Sequence, residues 1–291
     1  MSPSPADDAD RATVLAHLSD LHLDDGPRAE ERVRRMVRYL VELPGEIDAV
    51  LITGDIADRG TEEYYVRTRE VLAPLYERFP VLVCPGNHDE GQALRRILLD
   101  GDGDGDGPGD GEGDAHRTGA GTGDGGPVDQ VRDVAGTRIV LCDSSVPGRA
   151  DGLLRPQTLR WLDETLAEAP DRPTLVALHH PPAELGLPYI DGIRLREADR
   201  FAAVLRRHPQ VAGVLCGHAH TMAATRFADL PLVCAPGVAS TALMPWEQEP
   251  GQLWKTLDAP PALAFHVLRH GRLTSHARTV LGDVRPASVP S

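Results

Sequence analysis

The chain has 291 residues, with 44 acids against 30 bases for a formal charge of -14, 41% apolar residues and only 4% aromatic ones. That length buries a full core, which excludes a mini-protein held by staples, and the acidic balance excludes a nucleic-acid binder working through a basic face and counterion release. The charge is uneven, because residues 100–126 hold eight acids against the one base Arg117, so seven of the fourteen surplus charges sit in one short stretch.

Short apolar runs alternate with longer amphipathic segments, the pattern of helices covering buried sheets. Residues 13–18 (TVLAHL) read as a strand, and 28–43 as a helix opened by Pro27, with Val33, Met36, Val37, Leu40 and Val41 at spacings of three and four. Strand 48–53, a helix over 62–78 with Thr61 as N-cap, and strand 80–84 follow, and Pro74 should kink or shorten that helix. A helix over 89–99 runs into residues 100–126, of which 12 are glycine. No packed core can be built from that composition, and the nine-residue register of a calcium-binding glycine-aspartate repeat is absent, so a disordered insertion is expected. Order resumes with a hairpin over 128–143 turning at Ala135-Gly136-Thr137, then helix 156–168, strand 174–178, helix 197–207, strands 211–216 and 231–234, and a last pair within 263–280. The expected organisation is one domain over 12–285 containing the insertion, with flexible tails at 1–11 and 286–291.

Cys84, Cys142, Cys216 and Cys234 each follow a short apolar run without metal-ligand spacing, so they read as small buried hydrophobes rather than disulfides or thiolate ligands. The N-terminal MSPSPADDADR has acids where a secretion signal needs bases, and no apolar stretch approaches the ~18 residues of a membrane span. A soluble, cytoplasmic protein is expected.

Five strands end in polar, metal-competent residues: Asp20-Leu21-His22, Gly54-Asp55, Gly86-Asn87-His88-Asp89, His179-His180-Pro181-Pro182 and Gly217-His218-Ala219-His220. Each alone is more readily a turn or a cap. Together, at strand ends where loops project side chains from a rigid frame, they read as a ligand set. Carboxylate and amide oxygens mixed with imidazole nitrogens suit Mn, Fe, Co or Zn, whereas calcium takes an all-oxygen shell. Two such metals need one bridging ligand, which a carboxylate provides, and a hydroxide shared between them is a nucleophile near neutral pH.

These motifs resemble those of the calcineurin-like metallophosphoesterases. The stretches HLSDLHL, ITGDIADRG, CPGNHDE, CDSSVPG, LHHPP and GHAH look closest to the bacterial class III cyclic-nucleotide phosphodiesterases. The resemblance implies an α/β fold of four layers, with two central mixed β-sheets packed as a sandwich and flanked by helices. It implies one metal on Asp20, His22, Asp55 and His220 and another on Asp55, Asn87, His179 and His218, with Asp55 as the bridge and Mn or Fe favoured over Zn or Co. His88 would lie above the pair as hydrogen-bond or proton donor, with Asp89 as its partner. The implied reaction is hydrolysis of a small phosphodiester, foremost 3',5'-cyclic AMP to the 5'-nucleotide, by in-line attack of the bridging hydroxide, in a chain that could form a homodimer.

Neighbouring residues have plainer readings. His180 should face away from His179 in an extended segment, and His17 sits mid-strand as a core histidine. Asp58 and Arg59 in GDIADRG read as a local turn and salt bridge, although the string also resembles one in protein serine/threonine phosphatases. Such a phosphatase or other phosphomonoesterase, a nuclease, and a non-catalytic metal-bound interaction module are the rival readings.

Overall fold

The computed structural model describes residues 11–99, 117–118 and 126–282. Both tails and most of the glycine-aspartate insertion lie outside the described residues. The chain runs through β1 (Thr13–Leu18), α1 (Pro27–Val41), β2 (Ala49–Thr53), α2 (Glu62–Tyr76) and β3 (Val81–Cys84) to a short α3 (Gly91–Leu94) that passes into a π-helical turn at Arg95–Leu99. Next come β4 (Arg117–Thr118), β5 (Gln130–Val134), β6 (Thr137–Leu141), β7 (Gly152–Leu153), α4 (Pro156–Ala167) and β8 (Thr174–Ala177). Helix α5 (Pro188–Gly192), β9 (Leu195–Arg196), α6 (Ala198–Leu205), β10 (Val211–Cys216), β11 (Ala223–Phe227) and β12 (Leu230–Cys234) follow. The last elements are β13 (Thr241–Ala242), β14 (Thr256–Leu257), β15 (Ala262–Arg269) and β16 (Arg272–Thr279).

Two mixed sheets form the centre, one ordered β16-β15-β1-β2-β3 and the other β11-β12-β10-β8-β6-β5-β4. Strands β1, β2 and β3 are parallel, as are β6, β8, β10 and β12, while the β1–β15, β15–β16, β11–β12, β4–β5 and β5–β6 pairs are antiparallel. The two-residue period of a strand explains the layering. Leu15, Leu51, Ile139, Leu141, Leu175 and Leu215 pack together between the sheets. Their sequence neighbours face outward, Ala16, Val50 and Ile52 against α1 and α2, and Val140, Val176 and Val214 against α4 and α6. The outcome is the expected helix, sheet, sheet, helix sandwich. All four cysteines are free and buried. Burial pushes the Cys84, Cys142 and Cys216 thiols well up, so they stay protonated. No helix among the described residues is long and apolar enough to cross a membrane.

Local differences from the expected elements have identifiable causes. Thr61 occupies the N-cap of α2 but its side chain makes no capping bond, and the helix runs two residues past Pro74 before ending at Tyr76. The segment expected as a helix over 89–99 starts later, because the Glu90 carboxylate accepts from Gln92 N and Ala93 N and caps α3 there. The hairpin turns on Ala135 and Gly136, both at positive φ, as a two-residue turn of that hand requires. Within the insertion, Arg117–Thr118 pair with β5 as the edge of the second sheet.

One buried chain of hydrogen bonds crosses the first sheet. Thr53 Oγ1 donates to Ser19 Oγ (3.0 Å), so it accepts from His17 Nε2 (2.8 Å). His17 Nδ1 must then accept from His266 Nε2 (2.9 Å), whose Nδ1 accepts from Ser275 Oγ (2.7 Å). His17 is thus the satisfied core histidine expected, and both rings are neutral: burial pulls His17 well down and holds His266 at about 3. Because an unfolded histidine takes up its proton near 6.5 and the folded ring does not, stability falls as pH drops below that value, by about 2 kcal/mol for His266 between pH 8 and pH 5. Urea unfolding of wild type and His266→Gln at pH 8, 6.5 and 5 checks this. The glutamine, which cannot titrate, should flatten the pH slope by that amount.

Candidate metal centre

The C-terminal ends of the parallel strands from both sheets meet at one seam. Asp20 and His22 follow β1, Asp55 follows β2, Asn87 and His88 follow β3, His179 follows β8, and His218 and His220 follow β10. Five of these residues, Asp20, His22, Asp55, His218 and His220, hold positive φ between 43° and 68°, a strained region for side chains bearing a Cβ. The strain turns each loop sharply so that its side chain points back over the strand ends. Cross-loop bonds hold the turns: Asp20 N to Gly54 O (3.1 Å), His22 N to Asp55 O (2.9 Å) and Gly217 N to His179 O (3.0 Å). Gly86 is required by close approach, since a Cβ there would lie 2.2 Å from Asp55 Oδ1.

The side chains form two groups joined by Asp55. On one side His22 Nε2 and His220 Nε2 are 3.2 Å apart, with Asp55 Oδ2 at 3.6 Å from the first and Asp20 Oδ1 at 3.5 Å from the second. On the other, His179 Nε2 lies 3.1 Å from His218 Nδ1, 3.2 Å from Asn87 Oδ1 and 3.5 Å from Asp55 Oδ2. The ligand atoms of Asp20, His22 and His220 fall within 4.8 Å of one another, as do those of Asp20, Asp55 and His179. Asp20 Oδ1 is buried and has no hydrogen-bond partner. A buried carboxylate oxygen without a donor, facing imidazole nitrogens, fits a cation.

Neighbours outside the cluster set the imidazole tautomers. Thr53 O can only accept, so His179 Nδ1 donates to it (2.8 Å) and Nε2 faces inward, the nitrogen whose proton a metal would displace. The same logic applies to His22, whose Nδ1 donates to Asp58 Oδ1 (3.2 Å), while His220 Nδ1 pairs with Ser240 Oγ (2.9 Å). Burial works to lower the pKa of His179, yet the charge and hydrogen bond of Asp55 prevail and hold it at about 9. Burial likewise works to lower that of His22, and its bond to Asp58 prevails and raises it. Burial keeps His218 and His220 below the ordinary imidazole range, hence neutral and able to donate lone pairs. Asp55, although buried, is held ionised by His179, His22 and His88.

The remaining expected residues divide. His88 is 40% exposed above the cluster, with Nδ1 3.0 Å from Asp58 O and Nε2 4.0 Å from Asp55 Oδ2. Its neighbour is therefore Asp58, not Asp89. Asp89 instead accepts from Gly86 N, Ile56 N, Ala57 N and the Tyr65 hydroxyl, all within 3.2 Å, and so clamps the Asp55 loop to the Asn87 loop. Asp58 likewise does not form the expected ion pair with Arg59: its carboxylate turns to His22 and His88 because two imidazoles are closer than the exposed guanidinium. The His180 ring packs against His218 at 4.7 Å and a nitrogen of it lies within 4.8 Å of ligand atoms of His179 and His218, but both its nitrogens are taken, Nε2 donating to Ala150 O (3.2 Å) and Nδ1 accepting from Ser144 Oγ (2.8 Å). Burial beside His179 holds it at about 3. Ser240 and Tyr65 carried no signal in the sequence, whereas Asp58 stood in a conspicuous string whose direction the sequence does not give.

The family model for calcineurin-like phosphoesterases matches residues 13–222, which include every residue of both groups. The chain belongs to that family. It is a hydrolase of phosphate esters. Among its relatives, the glycerophosphodiester phosphodiesterase GpdQ of Enterobacter lignolyticus is 30% identical over 87% of this chain and 86% of its own. A cAMP/cGMP dual specificity phosphodiesterase of Mycobacterium tuberculosis is 31% identical over 78% of this chain and 68% of its own. A dimetal phosphatase from Danio rerio shares the fold, with a TM-score of 0.61 at 17% identity, covering 94% of this chain and 98% of its own.

The tight seat of Asp55 against Gly86 makes a prediction. Gly86→Ala should displace the carboxylate and weaken metal binding by at least ~10-fold, as loss of a supporting contact does at other metal sites. Gly45→Ala, where a Cβ meets nothing within 4 Å, should leave it unchanged. Elemental analysis after dialysis against graded chelator, with circular dichroism to confirm folding, reads both.

Proposed function

We propose that the chain is a dinuclear metallophosphodiesterase acting on a small phosphodiester, foremost a 3',5'-cyclic nucleotide that it opens to the 5'-nucleotide. The observation that carries this reading is the single buried carboxylate of Asp55 facing two groups of nitrogen and oxygen donors, with His88 exposed above them. One metal would be held by Asp20, His22, Asp55 and His220 and the second by Asp55, Asn87, His179 and His218, Mn and Fe being the favoured occupants of this mixed shell. When bound, the ions supply positive charge at the phosphate oxygens and acidify water for attack.

The chain's own residues do the rest. Each group draws its residues from the strand ends of both sheets, so the phosphate would be held between rigid frames rather than by a mobile loop. His88 donates Nδ1–H to Asp58 O, which leaves Nε2 toward the cavity to hold or deliver a proton at the departing sugar oxygen. The cavity above the cluster has a volume of about 600 Å³, enough for a nucleotide. A second reading, a linear glycerol diester on the same residues, is favoured by the similarity to GpdQ.

Turnover by the Mn-reconstituted protein of 3',5'-cAMP, 3',5'-cGMP, 2',3'-cAMP, glycerophosphocholine and p-nitrophenyl phosphate tests the proposal. Preference for a 3',5'-cyclic nucleotide supports it, exclusive use of glycerophosphocholine transfers the reading to the second, and activity on the monoester alone overturns both. Asp55→Ala should lose metal and activity together, while His88→Ala should keep its metal and lose 10²–10⁴-fold in kcat, roughly the contribution of a positioned acid.

A further inference from the structure

The cavity over the candidate metal centre has one wall unlike the rest. Its floor is made by His22, Asp55, Asn87, His88, His218 and His220. One side is aromatic and apolar, formed by Tyr189, Ile190 and Ile193 from the α5 region and by Trp254 and Leu257 from the segment leading into β14. The Trp254 ring stands edge-on to His220 at 5.8 Å, and the Tyr189 ring lies 5.3 Å beyond it at an interplanar angle of 33°. A row of rings thus starts at the floor and climbs outward.

In a chain with only 4% aromatic residues, two rings placed together beside the site need an account. Neither is wholly taken up by the core: Tyr189 is 40% exposed, and Trp254, which packs against the apolar cluster under the second sheet, is only half-buried and also lines the cavity. The wall is also anchored. Ala242 N donates to His220 O (2.9 Å), Leu243 N donates to Lys255 O (2.9 Å), and β13 pairs with β14 across Thr241 and Leu257. Ser240, the partner of His220 Nδ1, directly precedes β13. The segment carrying Trp254 is therefore hooked at one end to the floor. It begins beyond residue 222, where the match to the family model ends.

We propose that Trp254, backed by Tyr189, is the specificity-determining surface of this site and takes the flat heteroaromatic base of a nucleotide. The inference rests on the phosphoesterase reading for the floor and deepens it by naming the group beside the phosphate. A phosphate on the floor directs its attached sugar outward past His220, whose ring Trp254 meets edge-on, so the next group outward meets the rings. A nucleobase covers that apolar face and stacks on it, whereas a glycerol group has no flat surface to offer and a choline meets the rings only through its charge. Stacking on one aromatic side chain is worth roughly 10-fold to 100-fold in affinity.

The test uses binding, so that it does not depend on turnover. Affinities of the Mn-loaded protein for adenosine 5'-monophosphate and glycerol 3-phosphate are measured by calorimetry in wild type, Trp254→Ala and Trp254→Phe. Wild type should prefer the nucleotide by ~10-fold or more, Trp254→Ala should lose most of that ratio, and Trp254→Phe, which keeps a ring, should retain most of it. Equal affinity in wild type, a preference that survives Trp254→Ala, or equal loss for both ligands would overturn the proposal. If wild type prefers the nucleotide but hydrolyses no cyclic nucleotide, the reaction assigned above fails and the wall stands.

Discussion

Two carboxylates sit where water barely reaches, with side-chain exposures of 0% for Asp20 and 4% for Asp55. Each would cost several kcal/mol to bury alone, and the architecture of the seam follows from how that cost is offset. One oxygen of each is committed to the backbone of another loop, Asp20 Oδ2 to His218 N (3.1 Å) and Asp55 Oδ1 to His88 N (2.9 Å). The other oxygen faces imidazoles. The first commitment ties β1 to β10 across the two sheets, and the second ties β2 to β3 within one. A single pair of charges thus joins loops from both halves of the sandwich, and their bonds help hold five residues in left-handed turns that cost of order 1 kcal/mol or more each.

The support behind the cluster differs from the cluster itself. Thr53 O receives the Nδ1 hydrogen of His179 and also the Ser19 hydroxyl (2.8 Å), and behind them runs the directed chain through His17 and His266 to Ser275. Every hydrogen in that chain has one place to go, and the Nδ1 hydrogen of His179 is fixed on its far side by the neutral Thr53 carbonyl. Asp89 acts on the other flank by accepting three backbone N–H groups and the Tyr65 hydroxyl, which leaves it with no freedom to serve His88. Neutral bonds on one side and a clamped carboxylate on the other keep the donor atoms where a cation can use them.

The sandwich and the candidate ligands were legible because they depend on local pattern. Short continuous apolar runs marked the strands buried on both faces, spacings of three and four marked α1, and metal-competent residues at strand ends are confined by the strands themselves. The failures concern side-chain direction in loops. Asp89 adjoins His88 in sequence and Asp58 lies 30 residues before it, yet the chain folds back so that the distant acid meets His88 and the adjacent one meets backbone amides, and no period in the sequence foretells that exchange. Ser240 meets His220 across twenty residues through a loop with no motif, and Trp254 joins the cavity by a two-residue strand pair too short to announce itself.

That difference in legibility marks a physical division between floor and wall. The floor is built on the ends of parallel strands, where a shift of one loop would disturb two sheets and two buried charges, so its residues cannot change singly. The wall after residue 222 is attached through a few backbone bonds and a β-pair, and its side chains reach the floor at His220, through Ser240 and the Trp254 ring. Substitutions there, Ser240 apart, alter what meets the outer part of a substrate while leaving both carboxylates and their loops in place. Relatives at 30% and 31% identity carry names for a glycerophosphodiester and for cyclic nucleotides. A division of this kind lets one reaction be kept on a constrained floor while the group beside the phosphate is chosen by a segment free to vary.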